Sequence, residues 1–526
     1  MAAEREPGGL PAEPFLDPGD GGSTIATSSL GGRAAAGVAW LTLQKWAVRI
    51  FGFITIAILT RYLAASDFGT VAAASTVLPF FYLLSDLGFA AYVVQAEKAD
   101  AVTLSTSFWF SALAGVVLFG LLVLSAPVVG GVFGSGQVVP VLQAMSVSVL
   151  LTALAGVPTA VLRRQMRFRA LALQSGVAAL VAQAVAVTMT LTGYGVWALV
   201  GQVIVAQAVT TVLVWVAARW RPGLIFSRAE FAKMVRFGTQ VLGVEFVAMT
   251  RAWAEAAIVS AALGLSALGY LNIAQRLVAI VQDLTGAALI PVSTVAFAKL
   301  RQYRERLRQA YIRALRLTYA LIAPPLVLLA VAAALIIPLA FGQGWVPSNQ
   351  ATQILALAGT VSVGASLDNG LFYGLGKPGR WFAYALATDV VTVATTAVCT
   401  RWGITGVATG FLCVCLAATI GRWFIVSRLL STPVRVVAAP FGFLAVSVVV
   451  GGLAGLGVLQ LTAGMGTIWS IILVGLTIGV CHLVVLLLLA RPAAQDLLGL
   501  FSRFRSTHRI PFLPRSKEMS NGPETS

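Results

Sequence analysis

The 526-residue chain is 58% hydrophobic and 10% charged, with a mean hydropathy of +0.90. That composition excludes a soluble protein of this size and points to a polytopic membrane protein. Its 36 Lys and Arg against 19 Asp and Glu leave a net charge of +17. Such an excess suits loops held at the anionic cytoplasmic leaflet, and the lack of a basic, aromatic-interleaved domain argues against nucleic acid as a partner.

Residues 1–32 are rich in Gly, Pro, Ser and acids and lack an apolar core. They read as a disordered cytoplasmic tail rather than a cleaved signal. Beyond them the apolar mass suffices for about fourteen transmembrane helices of ~20 residues each. The spans are placed at about 38–62, 68–94, 102–126, 138–161, 170–192, 196–218, 236–262, 270–298, 317–340, 351–375, 380–400, 403–427, 434–461 and 467–490. Loops after even-numbered spans carry nearly all the basic residues, among them Arg163, Arg164, Arg167 and Arg169, Arg219 and Arg221, and the run from Lys299 to Arg316; the opposite loops carry little beyond Arg61 and Arg401. This asymmetry predicts both termini in the cytoplasm. Residues 299–316 space Leu300, Tyr303, Leu307, Tyr311 and Ala314 along one face, which predicts a basic amphipathic helix on the inner membrane surface or a charged extension of its neighbours.

The stretch from Glu245 to Asp283 places Glu245, Arg251, Glu255, Arg276 and Asp283 at membrane depth. Each such charge costs at least ~2.5–3.5 kcal/mol at a helix centre, so it marks a candidate substrate path. Arg251 and Glu255 are i,i+4, and Arg276 and Asp283 are two turns apart, so each pair shares a helix face. Lys45 and Arg49 form a second i,i+4 pair in the first span, with snorkelling to the edge an equal reading for Lys45. Mutual ion pairing accounts for Arg251 with Glu255, but the excess positive charge of the four basic residues points to an anionic substrate. Asp389 is a further acid within a span, while Asp86 and Asp368 sit near cytoplasmic ends, where capping or a partner such as Arg380 explains them. Pro79, Pro158, Pro291, Pro324 and Pro325 are expected to kink spans.

A gapless comparison of Ala57–Ala74 with Ala257–Ala274 matches Ala57/Ala257, Ile58/Ile258, Leu63/Leu263, Ser66/Ser266, Gly69/Gly269 and Ala74/Ala274. This is the pattern of a duplicated lobe, as in transporters that bind substrate between related halves. No phosphate loop, paired catalytic carboxylates with a nucleophile, or Cys/His cluster occurs. The four cysteines fall in apolar segments and only His482 and His508 are present, so neither an enzyme nor a metal cofactor is indicated.

The segments LTRYLAASDFG (59–69), SDLGFAAYVVQ (85–95), LRRQMRFRAL (162–171), LGYLNIAQRL (268–277), PVSTVAFAKL (291–300) and FGQGW (341–345) resemble the Wzx-like polysaccharide exporters of the multidrug/oligosaccharidyl-lipid/polysaccharide superfamily. The resemblance covers about residues 38–430. It implies an N-lobe of six spans over 33–222 and a C-lobe of six spans over 223–430, followed by two C-terminal helices over 431–490 and a basic tail over 491–526. It further implies a flippase that carries an undecaprenyl-diphosphate-linked oligosaccharide across the bacterial cytoplasmic membrane by alternating access, with a polymerase and other assembly proteins as partners. The diphosphate would then lie against Arg49, Arg251, Arg276 and Lys45, and Glu255, Glu245 and Asp283 would be coupling or cavity acids. Glu255 fills the acidic position that usually precedes the second-lobe turn, whereas Glu245 and Arg251 depart from the pattern; this leaves the coupling ion, proton or sodium, open. A multidrug antiporter of the same superfamily would favour anionic and aromatic residues over Arg. A membrane-embedded polymerase or ligase would need a large outward loop, and the outward loops here are short.

Overall fold

The computed structural model describes residues 46–96, 100–286, 293, 296–462, 464–491 and 494–495. Lys45, the 1–32 tail, Pro291 and most of 491–526 lie outside the described residues. The helices are α1 (Trp46–Leu59), α2 (Ala65–Asp86), α3 (Phe89–Gln95), α4 (Ala101–Val132), α5 (Val138–Met145), α6 (Val147–Arg164), α7 (Phe168–Leu191), α8 (Trp197–Ala218), α9 (Arg228–Leu263) and α10 (Leu265–Gly286). There follow α11 (Arg304–Phe341), α12 (Asn349–Ser362), α13 (Gly364–Gly374), α14 (Pro378–Cys399), α15 (Gly403–Leu430), α16 (Val434–Leu461) and α17 (Thr467–Leu489). Ten stretches among the described residues are long and apolar enough to cross a membrane.

Local chemistry sets several boundaries. The Asp67 carboxylate accepts the Ala64 N–H at 3.0 Å and satisfies an otherwise orphaned donor at the start of α2. Gly264 alone separates α9 from α10, at φ 86° and ψ 168°, a conformation that a side chain would disfavour. The single span expected over 68–94 is two helices, because Leu87 and Gly88 both take left-handed backbone angles and break the ladder.

Of the two readings of 299–316, the structure takes the extension, with its start moved to Arg304. The chain turns at residues 300–303, and a continuous 38-residue helix then runs from Arg304 to Phe341. Leu307, Tyr311 and Ala314 are buried in protein. The apolar face of this segment therefore packs into the core instead of lying on lipid, which makes it an extension of the span.

Helices α2 and α4–α8 pack on one another, and α9–α12 with α14 and α15 form a second group. The α16–α17 pair lies against α11. Gly451 and Gly455 of α16 let Ile478 of α17 and Val327 and Val331 of α11 approach closely. Pro324 has no N–H to give the Ala320 carbonyl four residues earlier. His482 of α17 supplies it, with Nε2 2.9 Å from that oxygen. A carbonyl only accepts, so Nε2 carries the proton, and in the neutral ring Nδ1 accepts from the Ser447 hydroxyl of α16 at 2.5 Å. One imidazole thus joins three helices across a proline break.

His482→Leu is expected to cost about 1–3 kcal/mol, the penalty of a buried unsatisfied carbonyl, read as a lower unfolding temperature in detergent. The cost should shrink in a Pro324→Ala background, where the residue 324 amide can serve the Ala320 carbonyl. Additive losses in the double variant would show that the carbonyl is not what His482 serves.

Candidate functional site

At one end of the bundle the two halves are tied together around α2 and α10. A β-carbon on Gly69 would overlap the Leu265 carbonyl, and one on Gly269 would overlap the Ala65 carbonyl. The contact is reciprocal and follows the register of the gapless sequence comparison, so the two segments meet across a pseudo-two-fold axis. Around this crossing, the Trp345 indole donates to the Thr60 carbonyl at 2.9 Å and packs edge-on against Phe68 and Tyr270. Arg61 donates to the Leu339 carbonyl at 2.8 Å, and the Ser260 hydroxyl donates to the Phe133 carbonyl at 2.8 Å. Phe133 and Phe341 open the related turns FGSGQ and FGQGW, and both are buried. Each half therefore lays its own turn against the other.

Further along α9 and α10 is a cavity of about 340 Å³. α10 lines it with Leu268, Leu271, Asn272, Gln275, Ala279 and Gln282, successive positions on one helical face. Thr76 of α2, Arg251 and Glu255 of α9, Ser362 of α12, Thr396 of α14 and Phe411 of α15 complete the wall. Arg251 bonds Glu255 at 2.7 Å, as the i,i+4 spacing predicts, and also Asp389 at 3.0 Å. One guanidinium thus stands between two carboxylates. The group carries surplus negative charge when both acids are ionised, so Arg251, expected at the diphosphate, is held by two acids, one of them foreseen from its spacing.

A different face of α10 carries Arg276 and Asp283. Asp283 pairs with Arg49 of α1, and the two side chains are about half exposed. This pair joins the two halves. Arg276 lies beside Arg49, surrounded by protein yet accessible, and has no ion-pair partner among the described residues. Arg49 stands eleven residues before Thr60 and Arg276 eleven after Leu265, about 16 Å along their helices from the glycine crossing that latches the halves, a distance of about half a hydrocarbon core ~30 Å thick. The structure therefore brings together Arg49, Arg276 and Asp283 in one place and Arg251 and Glu255 in another. Lys45 lies outside the described residues, as does the side chain of Glu245.

Asp368 is paired with Arg422 at 3.2 Å and accepts from the Tyr311 hydroxyl at 2.5 Å, so its partner is not the expected Arg380. All three residues are buried. Their pairing fastens α11, α13 and α15. Sequence reasoning missed Asn272, Gln275 and Gln282, whose common helical face on α10 was a usable signal.

The model of a family described as polysaccharide biosynthesis protein matches residues 58–350. The chain belongs to that family. Among its relatives, the succinoglycan biosynthesis transport protein ExoT of Rhizobium meliloti (strain 1021) is 28% identical over 75% of this chain and 80% of its own length. The teichuronic acid biosynthesis protein TuaB of Bacillus subtilis (strain 168) is 23% identical over 62% of this chain and 68% of its own. The lipopolysaccharide biosynthesis protein WzxC of Escherichia coli (strain K12) is 23% identical over 76% and 82%. In fold, the chain is similar to the lipid II flippase MurJ in an inward closed conformation, with a TM-score of 0.71 at 16% identity, covering 88% of this chain and all of that one. It is also similar to an inward-facing multidrug resistance MATE family transporter of the MOP superfamily, with a TM-score of 0.57 at 13% identity, covering 73% and 94%. The chain is thus an all-α, multi-pass membrane protein of the MOP fold, and the transport function named among its relatives sets it apart from enzymes.

Gly269→Val places branched carbon where the Ala65 carbonyl stands, so it should part the halves at the latch. In a cysteine-free background, a Thr76→Cys thiol is expected to react several-fold faster with a membrane-impermeant reagent applied at the latch end. An unchanged rate in a folded Gly269→Val protein would show that the glycine crossing is not the seal.

Proposed function

We propose that this protein moves an undecaprenyl-diphosphate-linked oligosaccharide from the inner to the outer leaflet of the bacterial cytoplasmic membrane, for polysaccharide assembly, by alternating access. The observation that carries the reading is the accessible guanidinium of Arg276 beside Arg49, without an ion-pair partner among the described residues and between the two halves. A diphosphate suits that place. Arg presents a planar fork of donors to phosphate oxygens, and a two-charge anion offsets both cations without desolvating them alone. The relatives named for export or biosynthesis of surface polysaccharides support the same substrate class.

In this reading the latch around Gly69 and Gly269 faces outward, because the bundle's basic loops belong at the cytoplasmic end. Binding of the diphosphate at Arg49 and Arg276 releases Asp283 from Arg49. Loss of that pair removes one tie between the halves and favours their rocking apart at the latch. The lipid chain stays in the bilayer throughout, and a polymerase on the outer face takes up the delivered unit. The surplus carboxylate of the Glu255–Arg251–Asp389 group is where a coupling proton or sodium ion would bind, with Glu245 a further coupling acid.

That same surplus favours a second reading, a cation antiporter, since a buried carboxylate attracts cationic substrates. Sidedness of a polyprenyl-diphosphate-linked oligosaccharide in proteoliposomes separates the two. The native chain is expected to carry the lipid across. Arg49→Ala and Arg276→Ala, at equal reconstitution, should slow transfer by about 10- to 100-fold, since a hydrogen bond to a charged group contributes about 1.5–3 kcal/mol. A native protein that moves no such lipid but exports a cationic drug against an ion gradient would establish the antiporter instead.

A further inference from the structure

The cavity on α10 and the cationic face of the same helix are different in chemistry and adjacent in space. Gln275 lines the cavity, whereas its neighbour Arg276 is absent from the lining and lies beside Arg49. Asn272 and Ala279, four residues before and three after Arg276, also line the cavity, so the two faces adjoin for more than a turn. A ligand with an anionic head at Arg276 has its next chemical unit directed at this cavity.

The lining describes that unit. Asn272 and Gln275 make no side-chain hydrogen bond to other described residues, and each offers both a donor and an acceptor. Thr76, Ser362 and Thr396 add hydroxyls, and Phe411 adds an aromatic ring. Amides, hydroxyls and one ring form a surface for a polyol, whose hydroxyls both donate and accept and whose C–H face stacks on an aromatic. The volume of about 340 Å³ is at the low end of the ~300–1,000 Å³ of small-molecule sites, which suits a single saccharide unit rather than the whole oligosaccharide. The charge also discriminates. Arg251, the cation among the described lining residues, is held by Glu255 and, from behind the wall, by Asp389, so a ligand carboxylate at this wall would meet excess negative charge. Like charges brought together at low dielectric are strongly disfavoured.

We propose that this cavity is a sugar-reading subsite that takes the first, diphosphate-proximal saccharide of the lipid-linked substrate and selects an uncharged sugar over an acidic one. The inference rests on the flippase reading above and goes beyond it by assigning the specificity of the transporter to Asn272, Gln275 and the Glu255–Arg251–Asp389 group. Arg276 and Arg49 hold the diphosphate and are blind to the sugar. The α10 cavity face reads the sugar.

The test uses the full chain in proteoliposomes with two probes of the same polyprenyl chain length, a polyprenyl diphosphate bearing one glucose and one bearing one glucuronate. The native protein is expected to transfer the glucosyl lipid at least tenfold more efficiently, with the difference in the half-saturating concentration. Gln275→Leu should erase this preference. Gln275→Lys supplies the missing cation and should turn the preference toward the glucuronosyl lipid, a gain that a misfolded protein cannot produce. Equal transfer of both lipids by the native chain overturns the sugar subsite and leaves the flippase standing. A native preference that persists unchanged in folded Gln275→Leu and Gln275→Lys proteins overturns the assignment to this cavity. Transfer of neither lipid by the native chain overturns both readings.

Discussion

The close crossing of α2 and α10 at Gly69 and Gly269 is the constraint on which the rest of the architecture depends. Two helices approach this closely only where neither carries a side chain at the contact point, so that backbone carbonyls rest against glycine carbons. Because the contact is reciprocal, it places the two halves about a common axis and aligns their ends. The Trp345–Thr60, Arg61–Leu339 and Ser260–Phe133 bonds then gather around it. Each of those bonds ends on a backbone carbonyl at a helix terminus, where acceptors are left unsatisfied by the helix itself. The crossing thus uses groups that need partners in any case, and water could replace those partners at modest cost.

Buried charge is distributed along α10 by face. Asp283 spans the gap to Arg49, Arg276 stands accessible beside it, and the adjoining polar positions carry amides. A membrane interior tolerates ionisable groups only when they are paired or open to water. Both solutions occur here, within a few turns of one another. The fully buried Asp368–Arg422 pair is the contrasting case, closed off by Tyr311 and Thr419 and suited to holding helices in register. Accessibility, more clearly than charge, separates Arg276 from the enclosed Arg422.

The C-terminal helices show how a local defect is used for assembly. Pro324 and Pro325 interrupt the ladder of α11 within a long apolar helix, and the freed Ala320 carbonyl becomes the docking point for His482. An orphaned acceptor in lipid costs several kcal/mol, so the break and the histidine belong together. The expectation that the prolines serve to bend spans addressed only half of their role. The partner for one of the carbonyls they release lies far away in sequence, and only the folded chain shows it.

Composition and hydropathy alone determined that the chain is an all-helical, multi-pass membrane protein, because the solvation cost of an apolar sequence depends on residue type and not on arrangement. The internal repeat and the i,i+4 spacing of Arg251 and Glu255 were likewise legible, since helical periodicity is a property of the chain. Tertiary structure decided the pairings. Asp389 reaches Arg251 from α14, Arg49 reaches Asp283 from α1, and Arg422, not Arg380, meets Asp368. These contacts join residues that are distant in sequence, and electrostatic partnership depends on distance in space. That is why a sequence rich in basic residues suggested an anion site but could not show that Arg251 is held by two carboxylates while Arg276 meets none among the described residues.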